Sequence, residues 1–98
     1  MMELRINPIA AEDLKNIKSY IAEDNEKMAV KTVQEIYARI ESIQQFPYMG
    51  ADLSKRVNFQ TNYKYVICGN YVVLYLVGTE YVDIYRVINR YQDITHVF

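Results

Sequence analysis

Cysteine and histidine are nearly missing from this chain, which removes most of the usual reactive chemistry at once. A lone cysteine, Cys68, excludes an intramolecular disulfide and any multi-cysteine zinc site. A lone histidine, His96, excludes a histidine-rich metal centre and a two-histidine acid/base pair. Three glycines and two prolines in 98 residues are too few for a linker or a collagen-like segment. The longest uncharged stretch, Tyr65 to Thr79, is too short to span a bilayer and is broken by Gly69-Asn70. The opening Met-Met-Glu-Leu-Arg-Ile-Asn-Pro has no apolar signal core, so a cytoplasmic protein with no membrane partner is expected. Neither charge sign is in excess: eleven Lys+Arg face twelve Asp+Glu, giving −1 and a pI near 5.8. A domain that grips nucleic acid mainly through phosphates is usually basic, so any such role has to rest on a local patch.

What is present is a globular balance, 51% apolar and 23% charged, of a length for one domain over residues 1–98. Residues 2–6 alternate apolar and charged like a short strand, and Asn7-Pro8 supplies an N-cap and a first-turn proline. Ala10, Leu14, Ile17 and Ile21 form one helical stripe, ended by Asp24-Asn25. Ala29, Val33, Ile36, Ile40 and Ile43 form a second, with Tyr37 widening it and Pro47 stopping the helix near Gln45. The short link between the two predicts an antiparallel helical hairpin.

Residues 47–61 have no sustained period and read as a long connection, of the kind that is often functional in a small domain. Three strands follow. Tyr63–Cys68 and Tyr71–Val77 flank Gly69-Asn70, a two-residue turn with glycine first. Tyr81–Ile88 comes last, with Val82, Ile84, Arg86 and Ile88 expected on one face and Asp83 and Asn89 on the other. Seven of the ten tyrosines lie between Tyr63 and Tyr91, where an apolar ring with a wet hydroxyl suits strands. The predicted class is α+β: a two-layer β-α-α-β-β-β domain with the helical hairpin on one face of a mainly antiparallel sheet and the other face polar and open.

Catalytic templates fail: there is no glycine-rich phosphate loop, no His-Glu-x-x-His and no Gly-x-Ser-x-Gly. Cys68 reads as a packed thiol, the helix carboxylates as solvated, and Asp83 and Asp93 as unpaired. A scatter of cations and tyrosine around the end strands remains: Lys55, Arg56, Lys64 and Arg86, with Arg90, Tyr91, Gln92, Asp93 and His96 in the tail. Guanidinium on phosphate and an aromatic ring on a base make a reasonable kit for RNA, with a merely solvated surface as the plainer explanation.

Four stretches, covering nearly the whole chain, resemble the RelE/ParE superfamily, the toxin halves of bacterial type II toxin–antitoxin pairs, often labelled plasmid stabilisation proteins. They are Asn7-Pro8-Ile9-Ala10-Ala11-Glu12-Asp13-Leu14-Lys15-Asn16-Ile17, Phe46-Pro47-Tyr48-Met49-Gly50, Tyr63 to Tyr75, and Val82 to Asp93. The resemblance implies two helices on a curved, mainly antiparallel sheet, a cognate antitoxin as partner, and no cofactor, metal or small-molecule ligand. Its first expectation is translation inhibition by a ribosome-dependent endoribonuclease (an mRNA interferase), with ribosome and mRNA as partners. Lys64, Arg90, Tyr91 and His96 would then be catalytic, and Lys55, Arg56, Arg86 and Asn89 would hold RNA. Lys64 stands where many members carry arginine, Asn89 where many carry His or Tyr, and Gln92 replaces a frequent arginine. The alternatives are a ParE-like inhibitor of DNA gyrase, or a weakened toxin that mainly binds its antitoxin.

Overall fold

The computed structural model describes residues 2–92 and 94–97; Asp93, which closes the last of the four stretches, lies outside them. Asn7 both ends strand β1 (Glu3–Ile6) and starts helix α1 (Pro8–Ala22). Its Oδ1 accepts the Ile9 amide at 2.9 Å, and Pro8 takes the first-turn position where a missing N–H costs nothing. Asn25, expected as the end of α1, is the N-cap of α2 (Glu26–Gln45), with Oδ1 accepting the Met28 amide at 3.0 Å. Phe46 leaves the helical region ahead of Pro47, where α2 was expected to stop.

The long connection contains β2 (Ala51–Asp52) between two single 3-10 turns, Pro47–Met49 and Leu53–Lys55. Strands β3 (Lys64–Cys68), β4 (Tyr71–Val77) and β5 (Tyr81–Asn89) follow, and a last 3-10 turn covers Ile94–Val97. Gly69 takes φ +59° while Asn70 stays at negative φ, the backbone of a hairpin turn with glycine first. The sheet runs β1-β5-β4-β3-β2; β1 pairs parallel to β5 and every other pair is antiparallel. This is the α+β arrangement expected, with two helices packed against a mixed sheet.

The expectation of a polar, open second face does not hold. Val73 and Tyr75 of β4 join Ala10, Leu14, Ile36, Ile40 and Ile43 in a core under the helices. Val72 and Leu74 join Leu53 and Ile88 in a second core on the opposite face, packed by Val57, Ile67, Ile94 and Val97. The physical reason is β4 itself: it has no charged side chain, and Val72 to Tyr75 are buried consecutively, so both faces need cover. The connection and the tail supply the second cover, a contact between distant residues that local periodicity does not report.

A second correction concerns β5. The pairing shifts between Leu74, opposite Arg86, and Tyr75, opposite Ile84, leaving Tyr85 as an extra residue. Beyond this bulge the faces change over. Val87 joins the helix-side core and Ile88 the second one, so Ile88 does not share a face with Val82 and Ile84.

Two cores should cost alike when cut. Ile40→Ala and Leu53→Ala, both at fully buried positions, are each expected to destabilise by about 2–5 kcal/mol in urea unfolding. A Leu53→Ala cost below about 0.5 kcal/mol would restore the open face.

Candidate functional site

The candidate residues fall into separate places. Lys64 opens β3, opposite Tyr75 on β4 and Asp52 on β2, with its Nζ 5.9 Å from the centre of the Tyr48 ring. Lys55 and Arg56 are exposed on the adjoining connection. The Arg56 guanidinium lies 5.3 Å over the Tyr65 ring and donates a long bond of 3.4 Å to its hydroxyl. These three cations share the β2–β3 side of the sheet.

Asn89, Arg90 and Tyr91 belong to the other end, beside the Gly69-Asn70 turn, because Tyr71 pairs with both Cys68 and Asn89. The Arg90 amide donates to the Asn70 carbonyl at 2.8 Å and its side chain to the Gly69 carbonyl at 3.3 Å, so this residue clasps the turn. The Asn89 side chain accepts the Tyr91 amide at 2.9 Å, and Tyr91 itself is exposed. From Lys64 to this end is four strand residues along and two strands across, roughly 16 Å. His96 is exposed on the tail turn, whose Val97 carbonyl accepts the Tyr85 hydroxyl at 3.1 Å, on the side of the second core.

Arg86 is engaged within the fold. Its guanidinium grips Asp13 of α1 through two bonds of 2.8 and 3.0 Å, and the same carboxylate accepts the Val87 amide at 2.9 Å. The cause is the early end of β1. Its last pair is Ile6 with Ile84, after which the chain turns into α1 and the β5 edge needs another acceptor. Asp13 supplies it. The hydrogen-bonded carboxylate raises the guanidinium pKa and holds Arg86 charged. Asp13 is therefore not the solvated acid expected; its position one residue off the Ala10–Leu14 stripe was the available signal. Asp83 is not unpaired either. Parallel pairing sets it opposite Arg5, which donates to it at 2.7 and 3.1 Å. This pair is exposed and adds little to stability.

Cys68 has no catalytic surroundings. Burial pushes its thiol pKa up, only partly opposed by Arg39, which leaves it a poorer nucleophile than a free cysteine. Among the described residues no group of three or more His, Cys, Asp and Glu side chains could hold a metal ion. No helix among them is long and apolar enough to cross a membrane.

A family model described as the ParE toxin of the type II toxin–antitoxin system parDE matches residues 4–94. The chain belongs to the ParE toxin family. It is thus the toxin component of a type II pair, whose counterpart is a cognate antitoxin. Among solved structures, the toxin shares its fold with a chain of the chromosomal ParDE toxin–antitoxin system from P. aeruginosa. That similarity has a TM-score of 0.76 at 24% identity, over 91% of this chain and 96% of the other. No curated protein matches it.

The Asp13 clamp gives a direct test. Asp13→Asn keeps the shape but removes the charge that Arg86 and the Val87 amide share, and should cost about 1–3 kcal/mol in urea unfolding. A change within about 0.5 kcal/mol would mark Asp13 as an ordinary surface acid.

Proposed function

We propose that this toxin acts on DNA gyrase rather than by cutting mRNA in the ribosome, working in the cytoplasm as a single domain that its antitoxin holds in check. The observation that carries the reading is the separation of the cations. Cutting RNA through its 2′-hydroxyl needs a base within hydrogen-bond reach of that proton and positive donors on the same phosphate. Lys64 and Arg90 lie roughly 16 Å apart, at opposite ends of the sheet. One scissile phosphate could meet both only if the two long side chains extended fully toward each other, and Arg90 is instead turned to the Gly69 carbonyl.

The Lys64 side has tyrosines and further cations. At the other end, the Arg90 fork is partly committed to the Gly69 carbonyl. A net charge of −1 also suits a protein target better than a polyanion such as the ribosome. Membership of the ParE family points the same way, since ParE-like toxins are the gyrase-directed branch of the superfamily.

Two assays on the purified toxin decide between the targets. Gyrase supercoiling should be inhibited, with broken DNA accumulating, and added antitoxin should restore it. Primer extension on mRNA translated in the toxin's presence should show no new cuts within codons. Cuts that depend on translation and fall at least ~10²-fold in Arg90→Ala, with gyrase unaffected, would overturn the proposal.

A further inference from the structure

The residues after α2 display large apolar side chains on a rigid ledge. Phe46 is 66% exposed, Tyr48 74% and Met49 43%, three of four consecutive residues. An exposed loop of this kind is ordinarily loose, but this one is held from beneath. The fully buried Tyr75 donates its hydroxyl to the Pro47 carbonyl at 2.8 Å and accepts the Gly50 amide at 2.9 Å. A Cβ on Gly50 would overlap that hydroxyl and come within 2.8 Å of the Tyr65 carbonyl, so only glycine lets the ledge sit so close. Apolar surface that is exposed and already ordered is what a partner can bind without meeting the cost of ordering it.

Beside the ledge runs an open groove of about 790 Å³, with Tyr48 and Gln44 on one wall and Glu3, Glu80 and Tyr81 on the other. Gln44 bridges the base by donating to the Met2 carbonyl at 2.9 Å. Its lining includes two carboxylates and no Lys, Arg or His. The C-terminal end of the 20-residue α2 adds negative potential, and no basic residue in its last turn offsets it. The nearest cations lie against the tyrosine rings: Arg5 sits 3.9 Å over Tyr81 and is already paired with Asp83, and Lys64 is 5.9 Å from Tyr48. The rings at this end of the molecule thus already pair with cations.

We infer that this groove and ledge form a docking surface for a lysine- or arginine-bearing segment of the toxin's target, its cation between Glu3 and Glu80 and its aliphatic part on Tyr48. The commitment to the target rests on the gyrase reading above. A DNA-handling enzyme exposes Lys and Arg where it holds phosphate, and a carboxylate-lined groove with an aromatic wall complements such a surface.

The test compares wild type, Glu3→Lys/Glu80→Lys and Tyr48→Ala, all changes at exposed side chains, for affinity to purified gyrase and to the cognate antitoxin, with melting temperature as the check on folding. The inference expects each variant to lose gyrase affinity by ~10-fold or more, more steeply at low salt for the charge reversal, while antitoxin affinity and melting temperature hold. Gyrase affinity within ~2-fold of wild type in both variants would overturn it and leave the gyrase reading standing. Loss of both affinities in a folded variant would overturn it by giving the groove to the antitoxin. Absence of gyrase binding by wild type would show, with no variant needed, that the target reading has failed and this inference with it.

Discussion

Strand β4 carries no charge and is buried along both faces, and the remaining elements answer that constraint. A strand in the middle of a five-stranded sheet has its backbone satisfied by two neighbours, but its side chains need cover above and below. The helical hairpin covers one face through a stripe that a 3.6-residue period lines up. The other face is covered by pieces with no regular period, the Leu53 turn and the Ile94–Val97 turn. The long connection therefore has a structural task before any functional one.

The sheet's edges follow the same economy. On one side β1 is short, and Asp13 takes over as hydrogen-bond acceptor where β1 ends, with Arg86 neutralising it. On the other, β2 pairs only two residues of β3. Tyr75 links the middle of the sheet to its rim: burial raises the pKa of its phenol, and both of its hydrogen bonds go to the turn after α2. The closed faces leave the ends of the sheet, its flanking turns and the part of the β3 edge that β2 does not cover as the places where a partner can meet the toxin.

Local features were legible in the chain itself. Asn7-Pro8, the two apolar stripes, the Pro47 stop and the Gly69 turn act within a few residues, so spacing and backbone preference identify them. Features that depend on distant residues meeting were not. Arg5 and Asp83 are 78 positions apart and Arg86 and Asp13 are 73 apart, and each pair exists only because β1 lies parallel to β5. The bulge that sends Val87 and Ile88 to opposite faces is likewise a property of the pairing with β4. For the candidate site, residue types suggested chemistry well enough, but whether Lys64, Arg90 and His96 shared one place depended on topology. Phe46-Pro47-Tyr48-Met49-Gly50 carries a family resemblance, but its spacing does not report that Phe46, Tyr48 and Met49 stay exposed. Only their exposure above a buried tyrosine sets them apart.

On the gyrase reading proposed above, the cations of this toxin act as separate groups and not as one catalytic centre. A double-mutant cycle on Lys64→Ala and Arg90→Ala, read through the toxin's potency in cells at matched expression, tests it most directly. Residues whose backbones lie roughly 16 Å apart, with no shared partner, should give effects that add to within about 0.5 kcal/mol. A coupling of about 1 kcal/mol or more, with both single variants folded, would mean that the two residues work on the same group as one catalytic centre.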